Sequence, residues 1–196
     1  MNLTAFLQLS WNSVVAPRDV ARQLISLRLG QEALLLAFAL VVVLNALLFG
    51  LTVLATPTSG ASQSLLSSPL FFMILLGGAL AITIVALTWV GRMLGGAGRI
   101  EDIAVLLIWM QALRVLVQIA MLVLLPLSMA FSAILVLAAS VAGVWMLVHF
   151  IDEAHGFGNL LRALLVLILA VTGTALGLAL FMSLIGATTM GLNGYV

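Results

Sequence analysis

One arginine lies in the middle of an uncharged apolar stretch, and its side chain is the chain's best candidate for binding a ligand. Arg114 follows Asp102 by 12 residues, about 18 Å along a helix and close to the midplane of a hydrocarbon core about 30 Å thick. Gln111 and Gln118, three residues before and four after, share its helical face, and Asn45 lies near the centre of another apolar stretch. Because a guanidinium matches phosphate well, these four residues predict a site for a lipid phosphate or another anion.

The same residues also have a purely structural interpretation. Helical side chains lean toward the N-terminus, so the guanidinium of Arg114 can reach toward the headgroups at the end where its helix begins. It would then bond Asn45, Gln111, Gln118 and backbone carbonyls, since no Asp or Glu lies inside any apolar stretch. The sequence leaves both interpretations open.

A second polar cluster occupies residues 149–155. His149, Asp152 and Glu153 share a helical face, whereas His155 joins them only if the chain turns back. Such side chains can ligate a divalent metal, but a polar turn at a membrane surface explains them as well, and we predict no metal site. The chain has no Cys, and it lacks HExxH, P-loop, dinucleotide-binding and nucleophile motifs. We therefore expect neither enzymatic activity nor a cofactor.

The distribution of charge predicts the elements that hold these residues. Only 7% of the chain is charged and 65% is hydrophobic, whereas soluble domains are about 25% charged. Apart from Arg114, every charged residue falls within 18–32, 92–102 or 152–162. Charge is costly in hydrocarbon, so these segments mark where the chain meets water. The sequence predicts an all-α polytopic membrane protein, and its net charge of +1 gives no reason to expect nucleic acid as a partner.

Five membrane-spanning helices are predicted within residues 32–196. Residues 103–151 carry no hydrophilic loop, but one helix of that length would reach about 73 Å. Pro126 is therefore expected to break this stretch into a tight hairpin, and residues 56–68 form an uncharged loop. The predicted spans are about 33–55, 69–91, 102–125, 128–150 and 160–187.

Residues 1–31 are predicted to form an amphipathic segment rather than a span. In a proline-led helix Arg18 and Arg22 form a polar row opposite an apolar one, with Trp11 before this helix and Arg28 after it. This pattern is typical of a helix in the membrane interface, with these four side chains at the membrane surface. The alternative is a soluble cap packed on the helical bundle.

Arginine counts predict the orientation. Three, two and one Arg lie near the span ends on one side, and none on the other, so the N-terminus is expected in the cytoplasm and the C-terminus outside. Seven Arg without Lys, together with many Ala, Leu and Gly, suggest a GC-rich bacterial genome. The expected location is the bacterial inner membrane, with the C-terminus in the periplasm.

Small residues recur at spacings of four within the predicted spans. At this spacing they allow helices to approach closely, and we interpret them as packing faces inside the bundle. The pairs are Gly77 with Ala81, Ala139 with Gly143, and Gly173 with Gly177.

Taken together, this layout resembles the Yip domain family (Ypt/Rab-interacting-protein related). The residues that carry the resemblance are the Trp-containing and Pro-led stretch from Trp11 to Leu29, the Gly-Gly-x-Gly turn at 95–98 and the His-Gly pair at 155–156. The resemblance implies five closely spaced spans after a cytoplasmic N-terminal segment. Eukaryotic relatives bind prenylated Rab GTPases, but their Asp-Leu-Tyr-Gly-Pro motif is absent, and Ala16-Pro17-Arg18-Asp19 occupies that region.

We therefore expect a non-enzymatic integral membrane protein that organises lipid or binds a partner. The expected partners are membrane lipids, and a protein partner or a second copy of the chain. The alternative is a small transporter or channel subunit with a polar path lined by Arg114, Gln111, Gln118 and Asn45. Broken helices and paired charges within the membrane would favour transport, whereas these spans are mostly uninterrupted.

Overall fold

The computed structural model describes residues 2–55, 68–124 and 128–192, and the described chain is entirely helical between its turns. Five of its helices are long and apolar enough to cross a membrane, which confirms the predicted all-α, five-span architecture. In chain order the helices are α1 (Leu3–Val15), α2 (Pro17–Ser26), α3 (Gln31–Ala55), α4 (Pro69–Met93), α5 (Ile100–Leu124), α6 (Met129–His155) and α7 (Leu160–Leu192).

The helix ends follow local backbone chemistry. α6 begins after Ser128, whose hydroxyl accepts a hydrogen bond from the Phe131 N–H, and ends at Gly156, which adopts a left-handed φ of 66°. It therefore runs five residues past its predicted end, because Gly156 is where the chain can reverse at no steric cost. The predicted loop at 56–68, except Ser68, and the predicted break at Pro126 lie outside the described residues.

α3 to α7 form a ring of alternating direction. α3 packs on α4 and α5, α4 packs on α7, and α6 lies between α7 and α5. We call the end at which α3, α5 and α7 begin the charged end, because Glu32, Arg92, Glu101, Glu153 and Arg162 lie there. The other end is called the uncharged end.

Two apolar cores hold the described helices together. The inner core lies within the ring, where Leu87, Leu107 and Val166 of three different helices are almost fully buried. The outer core lies between α2, α3, α5 and α6 and contains Leu106 and Phe150. Both cores include residues near the charged end, and together they join all five spans and α2.

α1 and α2 form a layer on the outside of the ring. The apolar face of α2, with Val20, Ala21 and Leu24, is buried against α5 and α6. This face is covered by protein, as in the alternative of a packed cap, and not by lipid.

Candidate functional site

A buried carboxylate attaches α2 to the charged end of the ring. The side chain of Asp152 is 3% exposed, and its Oδ2 accepts a hydrogen bond from Nη2 of Arg18 at 2.5 Å. Its Oδ1 accepts from the Asn159 N–H at 2.9 Å. Asp152 thus joins α2, the end of α6 and the turn before α7. Removing one partner of a buried ion pair leaves an uncompensated charge, which makes this pair the main polar attachment of α2.

A second, exposed pair lies beside it. Nε of Arg22 lies 3.3 Å from Oε1 of Glu153, and its Nη2 bonds Asp19 at 2.8 Å. Exposed pairs of this kind contribute only about 0–1 kcal/mol. The sequence predicts that Arg18 and Arg22 face lipid headgroups; the structure pairs both with carboxylates of α6, because α2 docks on the end of that helix.

The other two predicted surface residues, Trp11 and Arg28, remain exposed. Trp11 is 69% exposed. Arg28, at the junction of α2 and α3, has a left-handed φ of 42°, and its backbone N–H donates to the Ile25 carbonyl at 3.2 Å. Its guanidinium makes no hydrogen bond or ion pair within the described ranges. Both side chains are therefore available to lipid headgroups or to a partner.

α1 presents three different faces. Phe6 packs edge-on against the ring of Trp109 at 5.3 Å, and the Trp109 indole donates a buried hydrogen bond of 2.9 Å to the Ser13 hydroxyl. We call the exposed residues Leu7, Trp11 and Val14, spaced by four and three, the apolar flank of α1. Beside this flank lies an exposed polar one formed by Thr4, Gln8 and Asn12. One face is thus fixed to protein, while apolar and polar strips face outward side by side.

The imidazole of His155 fills a space left by three glycines. A Cβ added to Gly96 or Gly98 would lie 2.6 or 2.7 Å from a ring carbon of His155, and one added to Gly91 would lie closer still. The Ala97 N–H donates to the His155 carbonyl at 3.1 Å. The Gly-Gly-x-Gly turn and the His-Gly pair, 60 residues apart, therefore interlock at the charged end.

A hydrogen bond and a ring contact orient the His155 imidazole. Its Nδ1 bonds the Ile151 carbonyl at 3.1 Å, its ring stacks on Phe157, and its buried Nε2 has no partner within the described residues. His149 instead bonds the Trp145 carbonyl at 2.8 Å through its Nδ1. The part of the chain that the structure describes holds no cluster of three metal-ligating side chains.

Asn45 joins α3 to α5 inside the membrane-spanning region. It is fully buried, and its amide nitrogen donates to the Val41 carbonyl at 2.7 Å and to the Gln111 carbonyl at 3.3 Å. The side-chain oxygens of Asn45, Gln111 and Gln118 are buried and accept no hydrogen bond from the described residues. Each of these oxygens has capacity for a water or a ligand.

Arg114 stands apart from these three amides. Its side chain is exposed and makes no hydrogen bond or ion pair with the residues that the structure describes. The structure thus brings Asn45 and Gln111 into contact but does not join Arg114 to either. Between Arg114 and the charged end, the ring interior is filled by the apolar inner core.

The small-residue pairs pack less than expected. A Cβ on Gly77 would contact Val42 and Phe38 at 3.6–3.9 Å, as in a packed helix interface. A Cβ on Gly143, Gly173 or Gly177 would meet no atom of the described residues within 4 Å. The prediction of packing faces is therefore wrong for Gly143 and for the pair on α7.

Comparison with known proteins identifies a family over nearly the whole chain. A family model described as the Yip1 domain matches residues 11–191, from α1 to the last turn of α7. No curated protein and no solved structure matches the chain significantly. The matched region contains α2 with Arg18, both glycine-bearing turns and all five spans. The chain therefore belongs to the Yip1 domain family and is a multi-pass membrane protein.

Proposed function

We propose that this protein is a non-enzymatic membrane protein that organises the lipid around it through the α1–α2 layer. The observation that carries the proposal is the apolar flank of α1, held outward by a helix that is itself fixed to the ring. In this proposal the charged end faces the cytoplasm, the C-terminus lies in the periplasm, and the membrane is the bacterial inner membrane.

The position of α1 along the ring supports an effect on one leaflet. α1 contacts α5 at Trp109, seven residues past Asp102, which is about 10 Å along the helix beyond the last charged residue of that end. Half of a hydrocarbon core is about 15 Å thick. A helix at this level occupies area in the leaflet at the charged end and leaves the other leaflet unchanged, so it displaces lipid asymmetrically.

The attachment of α1 makes this displacement permanent. A free amphipathic helix exchanges between water and membrane, whereas α1 is held by the buried Trp109–Ser13 bond and by α2, which Asp152 secures. The apolar flank is thus presented continuously at one depth. The apolar filling of the ring interior toward the charged end favours lipid organisation over a transporter or channel with a polar path.

The test compares two matched triple variants in liposomes. Leu7→Ala, Trp11→Ala and Val14→Ala remove the apolar flank; Leu36→Ala, Leu40→Ala and Val43→Ala remove exposed residues of the same spacing from α3. A polarity-sensitive dye confined to one leaflet reports lipid packing there. We expect the wild type and the α3 variant to change packing in the leaflet at the charged end, and the α1 variant to lose that effect.

Two outcomes would contradict the proposal. Equal packing effects of the wild type and the α1 variant would show that the apolar flank does not act on lipid. An α1 variant that keeps the packing effect but loses a co-purifying protein would assign the flank to partner binding instead.

A further inference from the structure

The spacing along α5 directs Arg114 into the ring rather than toward lipid. Ile103 and Leu107 are buried in the inner core, Met110 packs against it, and Arg114 follows at the same alternation of four and three residues. Ile119 and Val123, which are exposed on α5, lie about 140–180° around the helix from Arg114. The arginine therefore projects to the side of α5 opposite its lipid-facing surface.

The inward-facing residues of α5 and α7 become exposed beyond the inner core. Arg114 lies 14 positions past Ile100, about 21 Å from the charged end. On α7 the inward stripe passes from the buried Val166 and Ala170 to the exposed Gly177, where an added Cβ would meet no atom of the described residues within 4 Å. The inner core thus fills the ring toward the charged end, whereas Arg114 and Gly177, which follow it on the same stripes of α5 and α7, are exposed.

Arg114 has no acidic side chain near its own level. All six acidic residues of the chain lie in its three charged segments, so neither this chain nor a second copy offers an Asp or Glu at the depth of Arg114. A charge at this depth is costly unless it is paired or hydrated. Gln118 lies one turn nearer the uncharged end on the same face of α5, and its NH₂ group can donate to an anion bound by Arg114.

We infer that Arg114 is an oxyanion-binding residue at the bottom of a crevice inside the ring, entered from the uncharged end, and that it takes a phosphate group. The planar guanidinium offers two parallel N–H donors that match two phosphate oxygens. The phosphate belongs either to an anionic phospholipid of the leaflet at that end or to a phosphate compound in solution. The site is separate from the α1–α2 layer, which packs on the other side of α5 through Trp109 and Leu106.

The binding test uses the full chain purified from nanodiscs that contain phosphatidylglycerol. Native mass spectrometry measures retained lipid, and thermal unfolding with added inorganic phosphate measures the soluble anion. Losing a charge-assisted hydrogen bond weakens binding by about tenfold or more, so Arg114→Gln should lower retention by at least that factor. Arg114→Lys, which keeps the charge without the fork, should lie between. The matched control is Arg162→Gln, an exposed arginine at the charged end.

The two measurements distinguish a phospholipid from a soluble phosphate compound. Lipid retention that depends on Arg114, without an effect of inorganic phosphate, assigns a phospholipid headgroup. Stabilisation by inorganic phosphate that Arg114→Gln abolishes assigns a soluble phosphate. If the wild type, Arg114→Gln and Arg162→Gln bind both probes equally while all three remain folded, the inference is overturned. These outcomes leave the proposal for the α1 flank untouched, because neither probe reports on it.

The entrance is tested by cysteine labelling, which is clean because the chain contains no Cys. Gly177→Cys places a thiol at the mouth of the crevice, and Val166→Cys places one in the fully buried inner core. A membrane-impermeant maleimide should label Gly177→Cys from the uncharged end alone and should not label Val166→Cys. Labelling of Gly177→Cys solely from the charged end would overturn the direction of entry.

Discussion

The ion pair between Arg18 and Asp152 gives the sharpest prediction about the α1–α2 layer. The Asp152 side chain is 3% exposed, so Arg18→Ala leaves a buried carboxylate whose remaining described bond comes from the Asn159 N–H. Breaking a fully buried pair costs about 3–5 kcal/mol. The Arg18 side chain is 43% exposed, and solvent screening lowers the expected cost to about 2–3 kcal/mol.

This free-energy cost weakens the docking of α2 rather than the whole fold. The apolar contacts of the ring do not involve Arg18, so the local opening of α1 and α2 should become easier while α3 to α7 stay closed. At about 1.4 kcal/mol per factor of ten, the amides of α2 should exchange hydrogen about 30- to 150-fold faster. Hydrogen exchange followed by mass spectrometry in nanodiscs measures this directly.

The control is Arg22→Ala, which removes an exposed guanidinium one turn away. Its pair with Glu153 is worth about 0–1 kcal/mol, so exchange in α2 should rise about fivefold or less. The double variant Arg18→Ala with Asp152→Ala should exchange more slowly than Arg18→Ala alone, because no buried charge remains unpaired. Equal exchange in Arg18→Ala and Arg22→Ala would refute the assignment of Asp152 as the attachment point.

Three further predictions concern two other contacts and the orientation in the membrane. Gly98→Ala should lower the free energy of unfolding by about 1–3 kcal/mol, because the added methyl would overlap the His155 ring. The double variant Gly98→Ala with His155→Ala should recover part of this loss. The control Gly30→Ala, whose methyl would contact no atom of the described residues, should be neutral. Trp109→Phe removes the buried bond to Ser13, costs about 1 kcal/mol, and should raise hydrogen exchange in α1 with little change in α7. A reporter active only in the cytoplasm should work after Gly30, Gly96 or Gly156 and fail after Val196; activity at Val196 would overturn the proposed orientation.

The membrane spans could be predicted from the sequence because charge placement alone determines where the chain meets water. Each described span begins or ends near a charged segment, as α5 does at Glu101 and Asp102. The end of α6 was harder to place, because the hydropathy falls at Asp152 whereas the helix continues to His155. Hydropathy indicates which residues lie in the hydrocarbon core, whereas the end of a helix is determined by its backbone hydrogen bonds.

The contacts of the candidate sites could not be predicted, because they join residues far apart in sequence. Arg18 and Asp152 are 134 positions apart, and each looks like an ordinary surface charge in its own segment. The space for His155 depends on Gly91, which lies inside a span and outside the Gly-Gly-x-Gly turn. Opposite charges and conspicuous glycines were visible, but a single sequence does not show which of them meet.

For Arg114, the sequence predicts the depth in the membrane but not the direction of the side chain. Its depth followed from counting residues along α5, and its lack of an intramembrane carboxylate followed from composition. The direction of its side chain could be assigned only once the face of α5 that joins the inner core was known. The sequence places Gln111 and Gln118 on the same face as Arg114 but does not show whether that face is inward. The ring order of the helices supplied that information.

The most direct test of the proposed function measures the surroundings of two adjacent residues of α1. Nitroxide labels on Leu7→Cys and Gln8→Cys report contact with oxygen, which concentrates in hydrocarbon, and with a water-soluble nickel complex; no native Cys interferes. Leu7 belongs to the apolar flank, and Gln8 belongs to the polar one. We predict that the label at position 7 meets oxygen and is shielded from nickel, while the label at position 8 meets nickel. Equal nickel contact at both positions would show that α1 lies in water, and the proposal that its flank organises lipid would fail.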